Sequence, residues 1–376
     1  MNTRRRFLST VGTTACSVIV GNAEEPDDEA ETASARPDYR ETGVTLLNSS
    51  PRADGFTMPA EWEKHEATVM VFPPEQNWKG YGLREARQEW KTVANTISEF
   101  EPVRMVVDPR DAKIARKLLN SEIKLLEFPV NDGWARDTAP LFLRNAKGER
   151  RAAGFIFNGW GAKFPPFKDD ALLKARLCAE WKIPMYPINV VAEGGGVLVD
   201  GEGTIITTEE CLLHKNRNPG VDKATIERRL LEGLGAKKVI WLGRGLTPDP
   251  VTDGHVDGMA AYVGPGSVLL HSTTYKSDPN YKILADAKRR LQEATDAKGR
   301  KLEVIDLPLA EQVGHMNFYI CNGAVVVPVA GVKREDDKPL GILREVFPER
   351  KVIGVSGVIL AEGGGGVHCI TQQVPA

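Results

Sequence analysis

The chain has 376 residues, of which 41% are hydrophobic and 27% charged, a balance typical of a globular protein with a large core and not of a disordered or fibrous one. The 49 basic and 51 acidic side chains give a net charge of −2, so no long-range positive field would attract nucleic acid or an anionic membrane. The five cysteines are widely spaced and form no Cys-x-x-Cys pair, which argues against a disulfide framework and against zinc or haem attachment through such a pair.

The first 23 residues are predicted to be an export signal. Arg4 and Arg5 precede Phe7 and Leu8, and a mildly apolar stretch then runs to Val20, a pattern that resembles a twin-arginine signal. The alternative is a disordered basic tail. The apolar stretch is too short and too polar to span a bilayer, so we expect no stable membrane insertion and a periplasmic location.

Residues 24–40 are acidic and rich in Pro and Ala, and are predicted to form a disordered linker because so charged a segment cannot collapse. From residue 41 to 376 no long Pro, Gly or Ser tract divides the chain, which predicts a single catalytic domain. Strands are expected at residues 67–72, 103–107, 204–207, 238–242, 267–271, 303–305, 324–327 and 351–355. Helices are expected at residues 84–100, 111–119, 168–181, 223–234 and 281–297. Strands that alternate with helices in this way indicate an α/β fold.

One short sequence occurs twice. Residues 191–197 read Val-Ala-Glu-Gly-Gly-Gly-Val, and residues 360–367 read Leu-Ala-Glu-Gly-Gly-Gly-Gly-Val. This similarity is consistent with repeated supersecondary units. Two unrelated glycine-rich turns would explain it equally well.

Cys369 follows a run of four glycines, which allows a ligand or the backbone to approach a following side chain closely. It is therefore a candidate nucleophile, although a free cysteine is often an inert core residue. His368 is adjacent, but neighbours on an extended strand point to opposite faces. We therefore do not expect His368 to be the general base.

His255 and Asp257 are two residues apart and would share one face of an extended segment. Histidine can pass a proton near neutral pH, and an ionised aspartate can hold a cation. The alternatives are a hydrogen-bonded turn or a pair of metal ligands, for which no further ligands stand at a recognisable spacing.

Two further carboxylates have unusual neighbours. Asp137 follows Trp134 and Arg136, and Glu193 precedes a glycine run. Paired carboxylates match the planar donor fork of a guanidinium. The simpler interpretation of Arg136 and Asp137 is a surface ion pair.

From about residue 54 to the end, several segments together resemble the agmatine deiminase and bacterial peptidylarginine deiminase family. Their number, order and spacing carry the resemblance. The segments are Met58-Pro59-Ala60-Glu61-Trp62-Glu63, Trp134-Ala135-Arg136-Asp137, Phe157-Asn158-Gly159-Trp160-Gly161, Glu193-Gly194-Gly195, Asp200-Gly201-Glu202-Gly203-Thr204, Thr208-Glu209-Glu210-Cys211-Leu212-Leu213, Gly254-His255-Val256-Asp257, Asn317-Phe318-Tyr319 and His368-Cys369-Ile370-Thr371-Gln372-Gln373.

The resemblance implies the pentein fold, a five-bladed α/β propeller of ββαβ-like units around a central active site. It also implies roles for six residues. These are Cys369 as nucleophile, His255 as general acid/base, Glu193 as its carboxylate partner, Asp137 and Asp257 as a guanidinium clamp, and Trp134 as a pocket wall.

The implied reaction is hydrolysis of a guanidino group through a cysteine thiouronium intermediate. A guanidinium carbon is a poor electrophile, and a thiolate attacks it far better than water does. No metal or organic cofactor is expected. With agmatine the products would be N-carbamoylputrescine and ammonia.

Peptidylarginine or another guanidine is the alternative substrate. A metal-dependent hydrolase using His255 and Asp257, and a non-catalytic propeller that binds cations, are alternatives from other classes. The expected partner is a small cationic guanidine or an arginine side chain. The sequence is compatible with a homo-oligomer.

Overall fold

The computed structural model describes residues 37–78 and 82–376. The predicted signal and residues 24–36 of the predicted linker lie outside the described residues. Tyr39, near the end of that linker, is buried in a short 3-10 helix, Tyr39–Thr42, and its hydroxyl donates to the Phe155 carbonyl at 3.3 Å. Ordered packing therefore begins before residue 41.

Sixteen strands and eleven α-helices are found among the described residues. The strands are β1 His65–Val71, β2 Val103–Val107, β3 Lys124–Glu127, β4 Leu141–Arg144, β5 Arg150–Ile156, β6 Met185–Val191, β7 Leu198–Val199, β8 Thr204–Thr208, β9 Lys238–Leu242, β10 Ala260–Gly264, β11 Ser267–Ser272, β12 Glu303–Pro308, β13 Tyr319–Cys321, β14 Ala324–Val329, β15 Lys351–Ser356 and β16 Thr371–Pro375. The helices are α1 Glu75–Trp78, α2 Leu83–Ser98, α3 Ala112–Leu118, α4 Ala135–Thr138, α5 Gly159–Ala162, α6 Lys168–Glu180, α7 Glu209–Leu212, α8 Lys223–Gly233, α9 Tyr281–Glu293, α10 Lys333–Val346 and α11 Val358–Glu362.

Five small sheets repeat one ββαβ pattern. Their strand orders are β16-β1-β2-β3, β4-β5-β6, β7-β8-β9, β10-β11-β12 and β13-β14-β15. In each sheet an antiparallel pair is followed by a parallel pair, and the first sheet adds a second parallel pair, β2–β3. A helix joins the two strands of every parallel pair, as a parallel connection requires. The C-terminal strand β16 completes the first sheet by pairing with β1. The five units confirm the expected α/β propeller.

The helices bury an apolar face against these sheets. In α2 the buried residues Ala86, Trp90, Val93, Ala94 and Ile97 recur at helical spacing, which is the pattern of an amphipathic helix. Removing the Trp90 ring by substitution with Ala would cost about 3–5 kcal/mol of stability, because the ring is completely buried.

The predicted strands are all present, with ends that differ by up to three residues. The helix expected at residues 281–297 ends at Glu293, because Ala294 is extended and Thr295 forms a bridge with Lys301. Helix α10 was not predicted, since its first half is charged and Pro339 lies inside it. None of the helices in the described part of the chain is both long and apolar enough to cross a membrane.

Candidate active site

The five connections between units bring polar side chains together. Each connection runs from the last strand of one sheet to the first strand of the next, with β16 counted as the first strand of the four-stranded sheet, and each supplies at least one side chain. These are Asp137 between β3 and β4, Glu193 between β6 and β7, His255 and Asp257 between β9 and β10, Asn317 between β12 and β13, and Cys369 between β15 and β16.

Cys369, His255 and Asp257 line a cavity of about 280 Å³. The Sγ of Cys369 lies 3.7 Å from Oδ2 of Asp257, and Nδ1 of His255 lies 3.9 Å from Oδ1 of the same carboxylate. Asn317 fixes the cysteine, because its Oδ1 accepts from the Cys369 amide at 3.1 Å. The two predicted catalytic groups therefore face one carboxylate inside one cavity.

Glu193 orients the histidine. Its Oε2 lies 3.0 Å from Nε2 of His255, and Nε of Arg217 donates to both of its oxygens at 2.8 and 3.2 Å. All three side chains are buried. Because Nε2 is held by Glu193, the nitrogen of His255 that faces Asp257 is Nδ1.

Asp137 lies in α4, and protein donors hold both of its oxygens. Gly195 N donates to Oδ1 at 3.0 Å, and Nε1 of Trp160 donates to Oδ2 at 2.9 Å. Trp160 has a φ of 55°, a left-handed conformation that is strained for a bulky residue. The strained backbone places the indole where it can hold the carboxylate.

Two glycines explain how the Glu193 connection approaches so closely. A Cβ at Gly194 would lie 2.1 Å from the carbonyl oxygen of Arg136. A Cβ at Gly195 would lie 2.7 Å from Nδ1 of His255 and 2.8 Å from Oδ2 of Asp257. Any side chain here would therefore occupy the space between the catalytic groups.

The electrostatics of the site favour a bound cation. Burial raises the pKa of the Cys369 thiol, and the carboxylates of Asp257 and Asp137 raise it further, to well above its usual range. Burial lowers the pKa of His255, but the nearby Asp137 and the hydrogen bonds to Cys211 and Glu193 outweigh it and hold the pKa well above normal. Burial and the neighbouring carboxylates raise the pKa of Asp137.

The structure brings five of the six predicted site residues into this cluster, and Trp134 lies just behind it. Asp137 and Glu193 are not among the residues that line the cavity, and neither is Trp134. Its ring lies against Gly365, which does line it, and packs with Trp78 and Trp90 at centroid distances of 6.0 and 5.7 Å. Trp134 thus supports the wall from behind.

Sequence reasoning gave no role to Arg217, Asn317, His368 or Glu61, which also belong to this cluster. No motif around Arg217 indicated a function, because this residue reaches Glu193 from a separate segment of the chain. The other three stood inside the quoted motifs without an assigned function. Cys369 and His368 lie in a turn just before β16 and not on an extended strand, so the expectation that they point to opposite faces is wrong. Nδ1 of His368 and Sγ of Cys369 both lie near Oδ2 of Asp257, at 2.9 and 3.7 Å.

One group in the described part of the chain has the composition of a metal site. The ligand atoms of Glu193, Cys211 and His255 lie within 4.8 Å of one another. Arg217, already bonded to Glu193, would repel a cation there. Asp257, the second ligand of the metal hydrolase alternative, is not part of this group.

Comparisons with known proteins give matches over most of the chain. A family model described as Porphyromonas-type peptidyl-arginine deiminase matches residues 57–375. An agmatine deiminase from Pseudomonas aeruginosa (strain LESB58) is 41% identical over 362 residues, covering 87% of this chain and 98% of the relative. One from Medicago truncatula is 39% identical and covers 88% and 99% of the two chains.

A solved structure also matches the fold of this chain. The agmatine deiminase of Enterococcus faecalis superimposes with a TM-score of 0.83 at 35% identity, covering 88% of this chain and 99% of that one. This likeness confirms the expected pentein fold.

Proposed function

The chain belongs to the Porphyromonas-type peptidyl-arginine deiminase family, and from this premise we propose that it hydrolyses a guanidino group, most directly that of agmatine, to a ureido group and ammonia. The observation that carries the proposal is the convergence of one thiol, two buried carboxylates and a His–Glu pair in the cluster around one cavity.

Asp137 and Asp257 form the guanidinium clamp. Each carboxylate oxygen has lone pairs beyond those used by protein donors, so both can accept N–H groups of a planar cation. Burial makes these contacts stronger than they would be in water, and it makes the site costly to leave without a cation. A guanidinium is thereby fixed with its carbon in front of Cys369.

Substrate binding activates the nucleophile. The two carboxylates that raise the pKa of the Cys369 thiol are the ones that the guanidinium offsets, so the thiol ionises when the substrate is bound and its proton leaves to water. The thiolate then forms a C–S bond to the guanidinium carbon, giving a tetrahedral adduct.

His255 carries the protons of the remaining steps. Its imidazolium donates from Nδ1 to the departing nitrogen, the C–N bond breaks, ammonia leaves and a thiouronium remains. The neutral imidazole then takes one proton from water, whose oxygen attacks the same carbon. The C–S bond breaks to release the thiolate, and the added hydroxyl gives its proton to solvent, which leaves the neutral ureido product. Glu193 fixes the ring through Nε2 in both steps.

The lining of the cavity favours agmatine over free arginine. None of the described residues that line it is Lys or Arg. The α-carboxylate of arginine would therefore find no cationic partner there, whereas agmatine has no carboxylate. The relatives named above are agmatine deiminases, which supports the same substrate.

The test is ammonia release from agmatine, free arginine and an arginine peptide, with the ureido product identified by mass spectrometry. We expect turnover of agmatine, unchanged by a chelator. Turnover of arginine or the peptide without turnover of agmatine would contradict agmatine as the substrate. Loss of activity with the chelator would favour a metal-dependent hydrolase. Absence of turnover on all three, with folded and reduced protein, would contradict the proposed function.

We further propose that the chain is exported through its N-terminal twin-arginine motif. Cell fractionation of the full chain and of an Arg4→Lys, Arg5→Lys variant tests this. The periplasmic fraction should lose the protein in the variant, and equal distribution of the two proteins would contradict export.

A further inference from the structure

His368 bridges two carboxylates, those of Asp257 and Glu61, next to the substrate cavity. Its Nδ1 lies 2.9 Å from Oδ2 of Asp257, and its Nε2 lies 2.8 Å from Oε1 of Glu61. His368 does not line the cavity that contains Cys369; with Glu61 and Asp257 it lines a second cavity of about 20 Å³. Asp257 alone among these three residues borders both cavities.

Arg136 holds the groups that surround the His368 ring in place. Nη1 of Arg136 lies 2.9 Å from Oε1 of Glu61, and Nε of Arg136 donates to the His368 carbonyl at 3.4 Å. The Arg136 amide also donates to the Cys369 carbonyl at 3.1 Å. Arg136 therefore fixes both Glu61 and the backbone that carries His368 and the nucleophile.

The hydrogen-bond pattern determines the protonation state of this histidine. An ionised carboxylate can only accept, and His368 faces one at each ring nitrogen, so both nitrogens must donate. The charged groups that face the ring are Glu61, Asp257 and Arg136. Burial lowers the pKa of His368 and Arg136 lowers it further, but the two carboxylates outweigh both and raise it.

The two carboxylates respond in the opposite direction. Burial raises the pKa of Glu61, but Arg136 and His368 lower it to about 2. Burial also raises the pKa of Asp257, and the hydrogen bond and charge of His368 bring it below normal. Asp257 is thus kept ionised in a site where Asp137 and Glu193 would otherwise favour its protonation.

We propose that His368 is a positioning residue, an imidazolium held by Glu61 that fixes the orientation and the charge of the guanidinium-binding carboxylate of Asp257. This inference rests on the proposed function for its kinetic consequence. Its structural part, the doubly protonated ring, stands independently of turnover.

The central variant is Glu61→Gln, which removes the charge on the far side of His368 and keeps the size of the side chain. Glu66→Gln is the matched control, because Glu66 is likewise held by ion pairs, with Arg104 and Arg150, but it lies on β1 and does not line the cavity. Protonation of His368 is read by NMR of protein with ¹⁵N-labelled histidine, with its signal assigned by its absence in His368→Asn.

We expect His368 to be an imidazolium at pH 7 in the wild type and in Glu66→Gln. In Glu61→Gln it should lose its proton at a pH lower by about one unit or more. A neutral ring at pH 7 in the wild type, or an unchanged titration in Glu61→Gln, would overturn the proposal even if no guanidine is turned over.

Kinetics test the consequence for the clamp. His368→Ala should lower kcat/KM for agmatine by about 10- to 100-fold, through loss of a hydrogen bond to a charged group. His368→Asn keeps an N–H donor near the position of Nδ1 and should recover part of this loss. Equal kinetics of the two variants, or wild-type kinetics of His368→Ala, would contradict the positioning role. If His368→Ala does not fold, His368→Asn and Glu61→Gln decide, because each should then lie below Glu66→Gln in kcat/KM.

Discussion

The carboxylate of Asp257 lies next to three functional side chains. It accepts from His368, faces Nδ1 of His255, and lies 3.7 Å from the Sγ of Cys369. Groups whose pKa values are shifted by several partners in this way are typical of active sites. These residue types could be singled out as candidates from the sequence, because thiol, imidazole and carboxylate chemistry is local, and the family resemblance supplied their roles. The partners of these groups could not, since Glu61, Arg217 and Asn317 arrive from distant segments whose approach only the fold determines.

The substitution Asp257→Asn should make the Cys369 thiol more reactive toward a simple electrophile but should impair catalysis. Removing this negative charge lowers the pKa of the Cys369 thiol, so iodoacetamide should alkylate it faster at pH 8, by about tenfold for each unit of pKa. Turnover of agmatine should fall. Peptide mass spectrometry follows Cys369, with the exposed Asp306→Asn as control. Equal or slower alkylation in Asp257→Asn would show that the carboxylate does not suppress the thiolate.

At the scale of elements, the connections carry the chemistry and the strands position it. Strands rich in β-branched residues, such as β2 and β9, were predictable with their correct bounds. The two-residue strand β7 was not, since so short a segment has no periodicity of its own. The glycine run after Glu193 was recognised as unusual, but only the structure shows its reason, which is contact with the Arg136 carbonyl, His255 and Asp257.

Gly195→Ala tests this close approach. The added methyl group would overlap with His255 and Asp257, so kcat/KM should fall by about 100-fold or more. Gly341→Ala in α10 is the matched control, because nothing lies within 4 Å of its added Cβ. Gly341→Ala should keep full activity, and it should increase the free energy of unfolding by about 0.5–1 kcal/mol. Similar kinetics of the two variants would contradict the role given to Gly195.

At the scale of the molecule, five similar units assemble one site because each connection supplies at least one group to it. The duplicated Glu-Gly-Gly-Gly sequences occupy equivalent connections, one between β6 and β7 and the other between β15 and β16, yet one supplies Glu193 and the other Cys369. This is why the repeat was visible but ambiguous in the sequence. The number of units came from the family resemblance, since the remaining connections share no such sequence.

A ligand that contacts several connections should stabilise the whole fold. In a Cys369→Ala protein, agmatine at 100 times its Kd should add about 2.7 kcal/mol and raise Tm by roughly 3–5 °C. Putrescine, which lacks the guanidino group, should have little effect, and Asp257→Asn introduced into the same protein should reduce the shift. Equal shifts with agmatine and putrescine would mean that the clamp does not recognise a guanidinium.

The central claim is that the Cys369 thiol attacks a guanidino carbon. Its most direct test is the rate of ammonia release from agmatine by the wild type, by Cys369→Ala and by Cys178→Ala, whose cysteine is buried in α6 away from the cavity. We predict a loss of at least about 10⁴-fold in Cys369→Ala, with near wild-type activity in Cys178→Ala. Retained ammonia release by a folded Cys369→Ala protein would contradict the account.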